Sequence, residues 1–171
     1  VARGKNVEKL RAYAVTSLGK LGIAEFTPQG SRKKVSVTDL LKKIMHTDKS
    51  KQVKRSAVLS LGALGGEKYL NDLLKKVKAD RDPMVRNFAM VALARLAESD
   101  RAKRAVRGEL ERVLLMGKDY SGKGFAAISL GLLGDKAGAR ALQQAFKDIS
   151  DPSNRSAAAI GLGMLKDESS A

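Results

Sequence analysis

Residues 53–65, VKRSAVLSLGALG, decide the fold, because the chain writes them again and again. The pattern returns as LRAYAVTSLGKLG at 10–22, VRNFAMVALARLA at 85–97, GKGFAAISLGLLG at 122–134 and NRSAAAIGLGMLK at 154–166. Aligned on Ala14, Ala57, Ala89, Ala126 and Ala158, each copy carries leucine four residues on (Leu18, Leu61, Leu93, Leu130, Leu162). It carries leucine again seven residues on, at Leu21, Leu64, Leu96, Leu133 and Leu165. Positions 0, 4 and 7 share one face of a helix, so each copy is a helix with a fixed buried edge.

Five residues past the alignment alanine stand Gly19, Gly62, Ala94, Gly131 and Gly163. Glycine inside a helix costs about 1 kcal/mol relative to alanine, a cost that a close approach by a neighbouring helix offsets. Eight residues past it, Gly22, Gly65, Ala97 and Gly134 mark helix ends, where glycine is expected as a left-handed C-cap. The alignment alanines are 43, 32, 37 and 32 residues apart, which leaves room for one more helix per unit. VTDLLKKIMH, EKYLNDLLKKVKA, RAKRAVRGELERVLLM and KAGARALQQAFKDI supply it, with an apolar stripe on one face and charges on the other. The connectors DRDP, DYSG and SDPS that precede the apolar helices hold the Asp, Pro and Gly of helix-opening turns.

Apolar inner helices alternating with amphipathic outer ones predict an all-α fold, a right-handed α-solenoid stacked from about five helical hairpins, the first and last incomplete. The units fall at 1–22, 37–65, 67–97, 100–134 and 136–166, with a basic insert at 23–36. Val85, Arg86, Ala89, Ala92, Leu93 and Leu96 spell a pattern that resembles the HEAT-repeat family. The glycine-rich copy with Ala126, Leu130, Gly131, Leu133, Gly134 and Asp135 is similar to the short HEAT-like units of phycobilin lyases. The likeness covers nearly the whole chain apart from the insert, and it implies a binding scaffold.

Lys and Arg number 33 against 18 Asp and Glu in 171 residues, a formal charge of +15 that favours an anionic partner: nucleic acid, anionic membrane or acidic protein. The absence of cysteine excludes disulfides and thiolate metal sites. No apolar run reaches the ~20 residues of a membrane span. The chain starts at Val1 without methionine and enters a helical pattern almost at once, which reads as a fragment of a longer protein.

GKDYSGKG at 117–124 comes within one residue of the nucleotide-binding pattern G-x-x-x-x-G-K-[ST], with Gly124 where the magnesium-binding hydroxyl belongs. It follows a helix rather than a strand, and Lys123 belongs to a column that is basic in every copy: Arg11, Lys54, Arg86, Lys123 and Arg155. Four residues before the last three of these stand Asp82, Asp119 and Asp151. Asp82, Arg86, Asp119, Lys123, Asp151 and Arg155 are therefore expected to form a structural ladder of charge-assisted hydrogen bonds that fixes the stacking, rather than a nucleotide site. Val7 and Ser50 hold the aspartate position in the first two copies, which leaves Arg11 and Lys54 as the column members expected to be free.

A second column becomes more apolar toward the C-terminus: Phe88, Val91 and Arg95; Phe125, Ile128 and Leu132; Ile160 and Met164. It either packs inner helices against one another or forms a partner-binding strip along the concave surface. Partial exposure of Val91, Ile128 and Ile160 favours docking and full burial excludes it. The third candidate is an anionic-partner surface made of Arg32, Lys33 and Lys34 in the insert with Lys51, Lys54 and Arg55 nearby in sequence. His46 is the only histidine, no nucleophile and base set is recognisable, and aromatics make up 4%, so catalytic, metal and single-strand stacking sites are poorly supplied. The residues thus point to a non-catalytic scaffold without cofactor whose partner is another protein. Backbone binding of DNA or RNA through basic outer-helix and insert surfaces is the alternative. A third reading, an accessory subunit of a chromophore lyase, rests on the repeat resemblance alone.

Overall fold

The computed structural model describes residues 2–167, with side chains placed from residue 6 to residue 165. Val1 and the residues after Asp167, where an excised domain would join its parent, lie outside the described residues. Nine α-helices account for most of the described chain. The inner set is α1 (Ala2–Leu21), α3 (Lys51–Leu64), α5 (Pro83–Leu96), α7 (Tyr120–Leu133) and α9 (Pro152–Asp167). The outer set is α2 (Val37–Thr47), α4 (Leu70–Ala79), α6 (Asp100–Met116) and α8 (Ala139–Asp148), with one-turn 3-10 segments before α4 and α8.

Each outer helix packs on the inner helix that follows it, giving four hairpins, and α1 stands at the head of the stack without an outer helix among the described residues. The last unit, expected to be incomplete, forms a full hairpin of α8 and α9 among the described residues. Ala57, Ala89, Ala126 and Ala158 are fully buried against outer helices, whereas Ala14, which lacks that cover, is exposed.

Successive inner helices lie against one another along their length, while the outer helices touch their neighbours sparingly. Small residues explain the tight inner layer. A Cβ built on Gly62 would stand 2.6 Å from the Ala92 Cβ, and one on Gly131 would stand 2.8 Å from the Gly161 Cα. A layer packed closely on one side and splayed on the other bends, with the inner helices on the concave side.

The inner helices start where their connectors cap them. Ser50, Asp82 and Asp119 accept hydrogen bonds from the Val53, Met84 and Ser121 amides, and Pro83 opens α5. The expected left-handed C-caps occur at Gly22 and Gly134, with φ of 66° and 67°. Gly65 departs from that expectation: its backbone is extended, and what requires glycine there is the Leu61 carbonyl oxygen 2.7 Å from a built Cβ. The insert folds into a minimal antiparallel hairpin, β1 (Glu25–Phe26) on β2 (Val35–Ser36), with Phe26 packed on the core.

Candidate protein-binding surface

Outer helices cover positions 0, 4 and 7 of α3, α5, α7 and α9, and neighbouring inner helices take the two flanks of α3, α5 and α7. The face left over, opposite the outer layer, carries the second and sixth positions after the alignment alanine. Val91 and Ile128 are half-buried there, Leu132 is 38% exposed and Ile160 54% exposed, while Met164 is half-buried and Arg95 exposed. Phe88 and Phe125 flank the row, edge to face with ring centroids 6.0 Å apart, each half-buried on the core. Leu59, 37% exposed at the equivalent place on α3, extends the row toward the N-terminus. Apart from Arg95, the row is thus apolar and partly open.

The connectors carry ion pairs that run from one unit to the next. Arg55 Nε and Nη2 donate to Asp82 at 3.0 and 2.9 Å, Arg86 Nη2 donates to Asp119 at 3.1 Å, and Arg11 Nη2 donates to Asp48 at 2.9 Å. Arg86 also donates to the Asp80 carbonyl at 2.9 Å. The Arg55 hydrogen bonds hold the Asp82 carboxyl, 4% exposed, below the usual carboxylate range, with the Met84 amide adding to the effect against the opposing cost of burial.

Three expectations are corrected. Asp82 is met by Arg55, one residue past the basic column, and not by Arg86, because the fork of Arg55 is the one aimed across the connector. Arg11 is not free, since Asp48, two residues before Ser50, supplies its carboxylate. The Lys123 to Asp151 rung is not made: among the described residues no ion pair reaches Lys123, Asp151 or Arg155, and Asp151 instead accepts from the Asn154 amide at 2.8 Å. Lys54 likewise pairs with no carboxylate among the described residues.

The anionic-partner surface does not come together. Arg32, Lys33 and Lys34 are exposed on the insert beside the C-terminal ends of α1 and α3, whereas Lys51, Lys54 and Arg55 lie in the first turns of α3. A helix of that length puts the two groups about 20 Å apart at opposite edges of the stack. Arg55 is moreover committed to Asp82.

GKDYSGKG spans the turn between α6 and α7, with Asp119 as the N-cap of α7. A carboxylate in that place occupies the amides a phosphate would need. Gly117, Asp119 and Gly122 line one wall of an open cavity of ≈ 330 Å³ with Val77, Arg86 and Asn87. Arg86 is engaged there by Asp119, and Asn87 Nδ2 donates to Ser121 Oγ at 2.6 Å. His46 lies on α2, 3.8 Å from Asp72, and burial, seconded by Lys76, holds its imidazole below the usual range.

With this geometry, residues 2–94 and 38–111 match the family described as HEAT repeats. The chain belongs to the HEAT-repeat family. A chain in the complex of CpcE and CpcF of phycocyanin lyase from Nostoc sp. PCC7120 shares the fold, with a TM-score of 0.64 over 88% of this chain and 87% of that one. Identity is 21%, so the likeness concerns the fold. No curated protein matches the sequence. Among the described residues no helix is long and apolar enough to cross a membrane.

Other contacts in this HEAT-repeat protein were not legible beforehand. Glu67 accepts from the Glu98 and Ser99 amides and from Ser99 Oγ, tying the turn before α4 to the start of α6. Tyr69 Oη donates to Asp39 Oδ1 at 2.7 Å, and Arg107 donates to Asp135. Each joins adjacent units at residues outside the repeated pattern, so no self-alignment picks them out.

Proposed function

We propose that this HEAT-repeat protein is a non-catalytic scaffold that binds a partner protein or peptide along its concave inner-helix surface. The observation that carries the reading is the partly open apolar row of Val91, Ile128, Leu132 and Ile160, one or two residues per inner helix. Inner helices pack about 8–10 Å apart, so the anchors of a bound segment need the same spacing. A helical partner meets it with residues seven apart, at about 10.5 Å, and an extended one with every third residue. Arg95 beside the row and the +15 charge favour acidic residues flanking those anchors.

The test is a random-peptide display selection against the protein, followed by affinity measurement on two variants. Ile128→Glu places a charge on the row and is expected to weaken the selected peptides about tenfold or more. Gln143→Glu, on the outer surface of α8, is expected to leave affinity unchanged. Equal effects of the two substitutions, or a selection with no peptide sensitive to Ile128→Glu, refute the reading.

A further inference from the structure

Asp82 and Asp119 hold the same place in the repeat, each capping an inner helix, yet the preceding inner helix meets them differently. The residue two before the alignment alanine makes the difference. On α3 it is Arg55, whose guanidinium forks onto Asp82. On α5 it is Asn87, which donates to Ser121 Oγ at 2.6 Å and not to Asp119. A second truncation lies across the junction, four residues before the alignment alanine: Val85, fully buried on α5, is replaced by Gly122 on α7.

Asn87 and Gly122 both line the open cavity of ≈ 330 Å³ at this junction, a volume at the lower end of the range for small-ligand sites. Two acceptors of its lining residues are under-supplied. Asp119 takes one bond from Arg86 and one from the Ser121 amide, whereas Asp82 takes two from Arg55 and one from the Met84 amide. The Asp119 side chain is 38% exposed and that of Asp82 is 5% exposed. Asn87 Oδ1 is buried and accepts no hydrogen bond among the described residues, a costly state for a buried acceptor.

We infer that this cavity receives a guanidinium group from outside the chain, which takes at Asp119 the place that Arg55 takes at Asp82. A planar fork of N–H donors pairs with a carboxylate through two bonds and keeps further donors for Asn87 Oδ1, whereas an ammonium lacks the planar fork. An anion would meet the Asp119 carboxylate. The rim is basic, but Lys78 and Arg112 turn to Glu109, at 3.7 and 2.6 Å, and Lys118 is exposed. Arg55 makes its own fork while the charge of Lys51 acts on the same Asp82, so neighbouring cations do not exclude a guanidinium. The cavity lies at the connectors, apart from the concave row, and the inference stands whether or not that row binds a peptide.

Amide NMR of isotopically labelled protein, titrated with N-acetyl-arginine methylamide, is expected to shift the Gly117 and Gly122 signals and to saturate in the millimolar range. The lysine counterpart is expected to bind about tenfold more weakly. Asp119→Asn, which keeps an N-cap on α7, is expected to weaken the arginine response about tenfold. Asn87→Arg supplies the fork from within, so it is expected to raise the melting temperature and abolish the response. Free arginine and agmatine distinguish the sources of the group. Tighter binding of either than of the capped arginine assigns it to a free guanidino compound, and equal or weaker binding assigns it to a side chain of a partner; both results support the site. No shift at Gly117 and Gly122 at tens of millimolar, an equal response to the lysine derivative, or a response unchanged in Asp119→Asn overturns the inference.

Discussion

Gly62→Ala and Gly163→Ala make the same chemical change at the same place in the repeat and are expected to move stability in opposite directions. Within its own helix each gains about 1 kcal/mol from the better helix former. At Gly163 nothing opposes that gain, since the new methyl meets open space among the described residues. At Gly62 the methyl would lie 2.6 Å from the Ala92 Cβ and 2.7 Å from its Cα, whereas ordinary contact begins at 3.4 Å. Neither atom can rotate away, so α3 and α5 must separate, and overpacking of this kind costs about 1–3 kcal/mol. The net expectation is a gain of about 1 kcal/mol for Gly163→Ala and a loss of up to about 2 kcal/mol for Gly62→Ala. Urea unfolding of dilute protein, followed by helical circular dichroism, reads both from the transition midpoints at unchanged slope. A Gly62→Ala variant as stabilised as Gly163→Ala would refute the close packing of the inner layer.

Asp82→Asn keeps an N-cap on α5 but loses the charge-assisted fork with Arg55, an expected loss of about 1.5–3 kcal/mol at neutral pH in thermal or urea unfolding. The wild-type contribution is fully present above the unfolded carboxylate value, about pH 4, and disappears as pH falls through the lower folded value, so the variant loses that part of the acid sensitivity. Binding of duplex DNA through Arg32, Lys33 and Lys34 alone would give a slope of log affinity against log salt of about −3, for roughly three phosphates; a steeper slope would show further basic residues engaged.

The helices and their pairing were legible because the buried edge recurs at the same offsets in every copy, so the register of all five inner helices follows from one alignment. Asp82 and Asp119 were legible as connector residues for the same reason. Which base meets them was not: Lys54 and Arg55 are neighbours in sequence, and only the direction of the side chain across the connector selects Arg55. Arg11 finds Asp48 outside the repeated column, where an alignment of copies carries no signal. The two basic groups looked contiguous because sequence distance conceals that a helix carries its ends to opposite edges. The apolar row, by contrast, follows from helical periodicity once the outer helices and neighbours are assigned their faces.

The four phenylalanines offer the most direct test of the concave surface as the binding face. Phe88 and Phe125 flank the apolar row, Phe26 belongs to the insert hairpin and Phe146 lies exposed on α8. Fluorine NMR of protein labelled with fluorophenylalanine, titrated with a display-selected peptide, should shift the Phe88 and Phe125 signals and leave those of Phe26 and Phe146 in place. Shifts confined to Phe26 or Phe146 would contradict the account and place binding on the insert or the outer layer.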